Sequence, residues 1–377
     1  MRVTVLQENL ARGLSIVSRA VSPRSTLPVL ANVLIASDEG RLRLSATNLE
    51  LGITAWIPVK VDEEGSTTVP ARTFSDLVNT LPGEKVELTL EPETQTLHVK
   101  SGASNNDVKG IDAQEFPPLT VPDMEGALQF NVADFKEMVH QVVFAASTDE
   151  ARPVLMGVLV TVTGDEIIMA SADGFRLSVR KAKLAAPVAE PIHAIIPARA
   201  LSELARIAGD GNDTLTMVVP KGRGQVIFRV KDAELVSQLI DGTFPDYEQI
   251  IPRSYKSRTL VSTATLLKAC KQAEIFAREG TNVVRLDIKT ATGEMEPSEV
   301  EISAQSEETG SNETLVEATV DGIGLLIAFN VRFLREVLEI IKSPNVAIET
   351  SAANAPGVIR PVGDDDFTHV IMPMHLG

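Results

Sequence analysis

The sequence is poor in cysteine and in aromatic residues. One of its 377 residues is a cysteine, Cys270, and aromatic residues make up 4% of the chain. A single cysteine excludes a disulfide within the chain and is typical of a reducing compartment. No apolar run reaches the roughly 18 residues of a membrane-spanning helix. The N-terminus carries Glu8 where a secretory signal needs an apolar core, so we expect a soluble, cytoplasmic protein.

The common catalytic and nucleotide-binding motifs are also missing. The sequence has no G-x-x-x-x-G-K-[ST] phosphate loop, no G-x-G-x-x-G after a predicted strand and no H-E-x-x-H zinc helix. Its five histidines are scattered, and the acidic segment GDDDF (363–367) is typical of an exposed turn. Cys270 falls on the apolar face of a predicted helix, which favours a core position. We therefore expect no catalytic residue, no cofactor and no metal.

The sequence does contain a threefold repeat. Three segments align along the chain: VPARTFSDLVNTLP (69–82), IPARALSELARIAG (196–209) and FNVRFLREVLEIIK (329–342). Apolar residues at i, i+3 and i+4 predict an amphipathic helix in each segment. A basic residue stands at the same position in all three: Arg72, Arg199 and Arg332.

Each repeat begins with another predicted helix. These earlier helices cover 5–21, 131–147 and 262–278, and Asn131 and Ser262 are suitable N-caps. Alternating apolar and polar residues between the helices predict short antiparallel strands. The fold class is therefore α+β, with three repeated domains of two helices packed on antiparallel sheets. We place the domains at 1–125, 126–254 and 255–377.

Charge is unevenly distributed along the chain. The net charge is −16, which by itself argues against attraction to nucleic acid. The six predicted helix windows (5–21, 70–81, 131–147, 197–208, 262–278, 330–342) hold 12 basic and 8 acidic residues, which leaves −20 for the remainder. Basic residues on a helix are often only a solvated face. Helices that share one surface would instead offer weak, salt-dependent contacts to phosphates without reading sequence.

Several segments together resemble a known family. They are SPRSTLPVLANVLI (22–35), ASTDEARPVLMGVL (146–159), SADGFRLSV (171–179), IDGTFPDYEQIIP (240–252) and VIMPM (370–374). In this order they resemble the β subunit of bacterial DNA polymerase III, the sliding-clamp family, over essentially the full length. The resemblance implies three clamp-type domains per chain. It also implies a head-to-tail homodimer that closes as a ring around double-stranded DNA.

The resemblance also implies a function and its partners. A member of this family is a processivity factor, because it tethers the polymerase and other replication and repair proteins to DNA. The resemblance also implies that the protein is not an enzyme. The implied partners are the DNA polymerase III catalytic subunit, the clamp loader and other clamp-binding proteins, with no membrane. Two alternatives remain at this point: a repeat-built enzyme with an active site between domains, and a monomeric peptide-binding scaffold that does not act on DNA.

The family's functional residues can be transferred to this sequence by position. The implied partner-peptide pocket is Leu155, Gly174, Phe175, Arg176, Leu177, Pro245, Ile250, Val370, Met372, Pro373 and Met374. The implied DNA contacts are Arg24, Arg72, Arg152, Arg199 and Arg206. Ile275 and Phe276 match the apolar part of the dimer contact. Asp149 and Glu150 depart from the family, because some members carry neutral or basic residues there.

Overall fold

The computed structural model describes residues 1–118, 124–211, 213–291 and 298–375. Six α-helices lie within them: α1 (Gln7–Val17), α2 (Ala71–Thr80), α3 (Val132–Val143), α4 (Ala198–Ile207), α5 (Thr263–Ala277) and α6 (Val331–Ile340). The six predicted helices are confirmed, with shorter bounds. None of these helices is long and apolar enough to cross a membrane.

The strands and helices alternate in a similar order in each third of the chain, with one additional strand in the first. The first third contains β1 (Arg2–Leu6), β2 (Asn32–Asp38), β3 (Arg41–Thr47), β4 (Leu51–Pro58), β5 (Lys60–Glu63), β6 (Ser66–Pro70), β7 (Lys85–Glu91), β8 (Thr96–Ser101) and β9 (Ser104–Lys109). The second contains β10 (Leu128–Asn131), β11 (Gly157–Thr163), β12 (Glu166–Ala172), β13 (Arg176–Lys183), β14 (Ile192–Pro197), β15 (Thr214–Val218), β16 (Gln225–Val230) and β17 (Ala233–Gln238). The last contains β18 (Ser257–Ser262), β19 (Val283–Lys289), β20 (Ser298–Ser306), β21 (Gly310–Gly322), β22 (Leu325–Asn330), β23 (Asn345–Thr350), β24 (Gly357–Pro361) and β25 (Phe367–Ile371).

Each helix starts directly after a strand, and two predicted N-caps are confirmed. The Asn131 side chain accepts a hydrogen bond from the backbone N–H of Ala133 at 2.9 Å. The Ser262 hydroxyl accepts one from the N–H of Thr265 at 3.4 Å. These contacts satisfy backbone donors that have no partner inside the helix.

The chain forms two compact units. The first unit comprises Met1–Phe135 and Ala200–Leu239, and the second comprises Lys136–Arg199 and the chain from Ile240 onward. The first unit contains two antiparallel sheets, with strand orders β5-β1-β7-β8-β9 and β10-β15-β16-β17-β4-β3-β2-β6. The second contains one sheet with strand order β14-β11-β12-β13-β25-β24-β23-β18-β21-β20-β19-β22.

Strand pairing joins segments that the sequence assigned to different domains. In the first unit β17 pairs with β4, and in the second β25 pairs with β13. The sheets therefore continue across the predicted boundaries near residues 125 and 254. The domain limits 1–125, 126–254 and 255–377 stay a prediction.

In the first unit, α1 packs closely on β3 and β4. A side chain on Gly13 would place its Cβ 2.7 Å from Leu44 Cδ1 and 3.0 Å from Ile57 Cγ2. Glycine at this position therefore sets how near α1 approaches the sheet. Helix α2 lies beside the end of α1, where the hydroxyls of Ser18 and Ser75 are 3.5 Å apart.

In the second unit, α5 and α6 pack against each other and α5 covers β19, β20 and β21. The core between them includes Leu266, Cys270 and Phe329, which are essentially inaccessible to solvent. Burial raises the pKa of the Cys270 thiol to about 12, and the nearby Glu274 carboxylate contributes. The predicted core position of Cys270 is confirmed.

Candidate functional site

The pairing of β13 with β25 builds the apolar floor of the predicted pocket. Leu177 lies opposite Val370 in this register, and each side chain is 1% exposed. Leu155, in a short 3₁₀ turn (Pro153–Met156) before β11, packs against the same cluster. Three of the predicted pocket residues therefore share one apolar cluster on the second unit.

Other predicted pocket residues lie at the surface of the second unit. Phe175 is 59% exposed, Met372 40% and Ile250 39%. Gly174 and Pro245 are exposed, whereas Pro373 and Met374 are half-buried. Gly174 has a φ of +96°, a conformation that favours glycine, and a Cβ there would also require the Arg152 guanidinium, 2.9 Å away, to shift.

The final segment is held by backbone hydrogen bonds. The N–H of Met372 donates to the carbonyl of Phe175 at 2.8 Å, and that of Met374 donates to Ala328 at 2.8 Å. Chain ends without such bonds usually fray. The exposed Met372 side chain on this fixed backbone provides an adaptable apolar surface.

The apolar cluster contains residues that the sequence did not identify. Phe244 is 6% exposed within it, and Tyr247 and Ile251 pack against it. Burial raises the pKa of the Tyr247 hydroxyl. The segment FPDYEQIIP contained a signal for them, since Phe244, Tyr247 and Ile251 are aromatic or apolar residues in a partly polar stretch. Only Pro245 and Ile250 were carried over from it.

Arg176 lies on the opposite side of β13 from Leu177, because successive side chains of a strand alternate between faces. Its side chain is 9% exposed, and Nε donates to Asp173 Oδ2 at 3.0 Å. The guanidinium also pairs with Glu336 and donates from Nη2 to the carbonyl of Phe144 at 2.7 Å. These contacts hold Arg176 within the protein, so we assign it a positioning role for the pocket strand.

Arg176 is also enclosed by aromatic rings. Its guanidinium carbon lies 4.4 Å from the centroid of the Phe333 ring and 5.4 Å from that of Phe144. Burial raises the pKa of the Glu336 carboxyl, but hydrogen bonds from Arg176 and Arg332 outweigh it and leave the pKa lowered. These groups line a cavity of about 440 Å³ that also includes Phe175.

His369 in β25 lies behind the pocket floor and is completely buried. Its Nδ1 is 2.6 Å from the Ser178 hydroxyl, and its ring stacks on Phe144 with centroids 5.3 Å apart. Its Nε2 has no hydrogen-bond partner among the described residues. Burial lowers the pKa of His369 to about 3, and the charge of Arg176 acts in the same direction.

Acidification should therefore destabilise the protein through His369. The histidine of an unfolded chain has a pKa of about 6.5, so between about pH 6.5 and 3 the unfolded chain binds a proton that the folded chain excludes. By pH 5 this effect amounts to about 2 kcal/mol of unfolding free energy. In urea unfolding at pH 7 and pH 5, His369→Asn should lose less stability than the wild type by about this amount.

The matched control for this titration is His193→Asn, at an exposed position of the second unit. It should retain the wild-type difference between the two pH values. If His369→Asn also retains that difference, the histidine is not held neutral in the folded protein.

Three predicted DNA contacts lie in the first unit. Arg24 is exposed in the loop after α1, and the Arg72 side chain is 96% exposed near the start of α2. Arg206 is 61% exposed but pairs with Glu203 at 3.0 Å. Glu203 also pairs with Arg19 at 3.1 Å. This carboxylate therefore offsets part of the positive charge near Arg206.

The two other predicted contacts lie in the second unit. Arg199 is exposed as the second residue of α4. Arg152 pairs with Asp149 at 3.0 Å and donates to the carbonyl of Asp173 at 2.9 Å. The N–H of Ala151 and the Arg152 side chain lower the pKa of Asp149. Arg152 therefore has less free charge than Arg199 to offer a phosphate.

The repeated arginine is at the second residue of its helix in all three cases, in α2, α4 and α6. A cation at a helix N-terminus is disfavoured by the helix dipole, by about 0.3–1 kcal/mol. A carboxylate four residues later partly compensates in two of them. Arg72 lies 3.9 Å from Asp76, and Arg332 lies 2.9 Å from Glu336. Contact with an external anion would offset the rest of this unfavourable interaction with the helix dipole.

The observed helix bounds correct the predicted charge distribution. The six helices hold nine basic and eight acidic residues, a net charge of +1. The predicted +4 included Arg19, Arg278 and Lys342, which lie just after α1, α5 and α6. The helices are thus nearly neutral, while the rest of the chain carries −17.

The predicted dimer residues lie near the end of α5. Ile275 is 54% exposed, whereas Phe276 packs partly against the core of the second unit. The Thr314 hydroxyl is 3.4 Å from Gln272 Oε1 and joins β21 to this helix. Leu315, next along β21, is also 54% exposed. Because successive side chains of a strand alternate between faces, Leu315 points away from α5 and does not belong to the surface that contains Ile275.

Within the residues that the structure describes, no group of three or more histidine, cysteine or acidic side chains is arranged to hold a metal ion. Asp364 in the acidic turn pairs with Arg180 at 2.5 Å, and Gly363 before it has a φ of +87°. The turn predicted at GDDDF is confirmed.

Comparison with known proteins covers nearly the whole chain. Three family models match in order: the N-terminal domain of the DNA polymerase III beta subunit at residues 1–120, its central domain at 129–246 and its C-terminal domain at 248–375. The chain is 33% identical over 379 residues to the beta sliding clamp of Synechococcus elongatus, covering 100% of both chains. It is 33% identical over 383 residues to that of Staphylococcus aureus, covering 99% of both.

Solved structures agree with these relatives. The DNA polymerase sliding clamp of Bacillus subtilis matches with a TM-score of 0.93 and 30% identity, and the DNA polymerase III subunit beta of Pseudomonas aeruginosa with 0.90 and 28%. Both matches cover 100% of each chain. The α+β fold of three clamp domains is therefore confirmed. With three domain models matched in order and relatives a third identical from end to end, this chain belongs to the DNA polymerase III beta subunit family, the beta sliding clamps.

Proposed function

We propose that this chain is a DNA sliding clamp, the processivity factor of a replicative DNA polymerase. Two copies associate head to tail and close into a ring around double-stranded DNA. The full-length match in three ordered domain models carries this proposal. The repeated arginine at the start of α2, α4 and α6 supports it, because such a position suits contact with an anion.

The charge distribution suits a ring that holds DNA without tight binding. Nearly neutral helices provide few phosphate contacts, so an open chain would bind DNA weakly and in a salt-dependent way. A closed ring stays on DNA without having to bind it tightly. Arg24, Arg72 and Arg199 are exposed and are the strongest contact candidates, and Arg152 and Arg206 share their charge with acidic neighbours. Contacts to phosphates alone also leave the clamp free to move along any sequence.

The partner pocket on the second unit gives the ring its tethering role. Leu155, Leu177 and Val370 form its apolar floor, and Met372 provides an adaptable edge. An extended peptide with apolar anchors suits such a surface. We propose the polymerase III catalytic subunit, the clamp loader and other replication and repair proteins as its partners. In this role the chain is cytoplasmic, binds no membrane and performs no catalysis.

The decisive experiment compares circular with linear DNA. The protein is loaded by a clamp loader and ATP onto a nicked circular plasmid, which is then divided and half of it linearised. Gel filtration should show the protein retained on circles and lost from linear molecules, because a ring slides off free ends. Equal retention on both would exclude topological binding. Sedimentation equilibrium should give twice the chain mass of 40.5 kDa, and a strict monomer at micromolar concentration would exclude the ring.

Met372→Ala should weaken partner binding. Removing this partly exposed side chain takes away adaptable apolar contact, and we expect about tenfold lower affinity, equivalent to about 1.4 kcal/mol. Fluorescence anisotropy of a labelled peptide with leucine and phenylalanine anchors measures it. Val362→Ala, at a position 37% exposed against 40% for Met372, is the matched control and should bind normally. Unchanged affinity in Met372→Ala would remove this residue from the pocket.

A further inference from the structure

A cavity of about 670 Å³ lies within the first unit, on a face of β2, β3, β4, β16 and β17. Its lining includes Trp56, Arg41, Arg43, Glu234 and Phe116. It is lined by both charged and aromatic side chains, and none of them belongs to the predicted partner pocket or the predicted DNA contacts. The threefold repeat allows the position of this cavity to be compared with that of the predicted pocket.

A matching turn precedes β4 in the first unit and β13 in the second. The Asn48 side chain accepts a hydrogen bond from the N–H of Leu51 at 2.7 Å, and Asp173 accepts one from the N–H of Arg176 at 3.0 Å. The residue after each acceptor has a positive φ, 76° at Leu49 and 96° at Gly174. The two turns are therefore equivalent elements of the repeat.

The two turns also accept equivalent backbone hydrogen bonds from the end of the last strand of the following repeat. The N–H of Gln238, at the end of β17, donates to the carbonyl of Glu50 at 2.8 Å. The N–H of Met372, after β25, donates to the carbonyl of Phe175 at 2.8 Å. The cavity thus lies on the first unit at the position that corresponds to the predicted pocket on the second.

The chemistry of the two positions differs. In the second unit the register aligns Ala170, Val179 and Thr368 across β12, β13 and β25. In the first unit the corresponding residues across β3, β4 and β17 are Ser45, Thr54 and Glu234. One architecture therefore presents an apolar surface in one unit and a polar, charged surface in the other.

The carboxylates near the cavity already have donors within the protein. Asp38 Oδ2 accepts the indole N–H of Trp56 at 2.7 Å. Glu234 is 6% exposed and accepts from Arg229 Nη2 at 2.8 Å. Burial raises the pKa of Glu234 despite that partner. Each of these two carboxylates is therefore held through one of its oxygens by a donor of the cavity wall.

Arg43 has unused donor capacity. Its Nη1 lies 3.7 Å from Asp38 Oδ2, beyond hydrogen-bond distance, and its side chain is 33% exposed at the cavity wall. Arg41 lies beside it, 5.6 Å from the centroid of the Trp56 ring. The cavity thus combines a partly exposed guanidinium with a half-buried aromatic side chain.

We propose that this cavity binds an extended peptide segment of a partner protein that carries a carboxylate next to an apolar side chain. The carboxylate accepts from Arg43, and the apolar side chain packs on Trp56. A bidentate guanidinium–carboxylate contact gives both affinity and orientation. The ring would then offer two chemically different docking sites, one apolar and one for acidic segments. One partner with an apolar segment and another with an acidic segment would then bind the same ring at the same time.

Trp56 is the single tryptophan of the chain, so its fluorescence reports directly on the cavity. The probe is a blocked hexapeptide of alternating glutamate and leucine, titrated into the full-length protein without DNA. We expect a saturable change in emission, and about tenfold weaker binding of the glutamine–leucine analogue. Because neither DNA nor a loader is present, failure here leaves the DNA-retention experiment untouched.

Arg43→Gln should weaken the glutamate peptide about tenfold. Arg253→Gln, at an exposed position of the second unit, is the control and should bind as the wild type does. Arg41→Gln, at a side chain 45% exposed, provides a second variant should Arg43→Gln fail to fold, and it should also weaken binding. The proposal is overturned if emission does not saturate, if the glutamine analogue binds equally well, or if the folded arginine variants retain wild-type affinity.

Discussion

Ile275→Asp should convert the proposed dimer to monomers. Ile275 presents an exposed apolar side chain on α5, and the proposed ring buries it against a second copy. A carboxylate placed there would lose its hydration without gaining a partner, which costs several kcal/mol. We expect the dimer dissociation constant to rise on the order of 100-fold, equivalent to about 2.7 kcal/mol. Sedimentation equilibrium across a concentration series measures the change.

The chain offers a closely matched control. Ile323, between β21 and β22, is also isoleucine and also 54% exposed. Ile323→Asp introduces the same charge on the same unit, so it should leave the dimer intact. Equal weakening by both variants would indicate a general effect of charge, and no weakening by Ile275→Asp would remove α5 from the interface. Retention on circular DNA should be lost together with the dimer.

Arg176→Ala should strongly destabilise the second unit. The substitution removes the ion-pair partner of Asp173 and one of the three ion-pair partners of Glu336, and it leaves the carbonyl of Phe144 without its donor. Removing one member of a buried ion pair typically costs 3–5 kcal/mol, because the remaining charge stays buried and unpaired. Arg332 still pairs with Glu336, so we expect about 3 kcal/mol.

Arg332→Ala is the control for this variant. Its side chain is 66% exposed and also pairs with Glu336, so its loss should cost less than about 1 kcal/mol. The single tryptophan lies in the first unit, so unfolding of the second is followed by calorimetry or circular dichroism. Similar costs for the two variants would mean that the enclosure of Arg176 contributes little. Partner-peptide affinity should fall only in Arg176→Ala, because this residue holds β13 in place.

Much of the fold could be predicted because its helices carry strong local signals. Apolar spacing identified all six, and Asn131 and Ser262 marked two of their starts correctly. The pairing of β4 with β17 and of β13 with β25 could not be predicted. Partners separated by more than a hundred residues leave no local pattern, and every strand of a repeat presents similar alternation.

The sequence identified many residues of the site, but it did not show where their side chains point. Leu177 and Val370 were both named, but only the register places them opposite each other. Arg176 directly precedes Leu177 in the same segment. Its side chain is enclosed by Phe333 and Phe144, and the contact with Phe333 depends on how α6 packs. The charge of the helices was overestimated because pattern alone does not fix where a helix ends.

The pairing of β25 with β13 has a consequence for how the protein is made. Ser178 meets His369 only after the ribosome has added another 191 residues. At roughly 5–20 residues per second, β13 waits about 10–40 s with one edge uncovered. An uncovered strand edge invites pairing with the wrong strand or with another chain. The middle repeat therefore needs protection during synthesis, and chaperone demand should fall once the final strand has emerged.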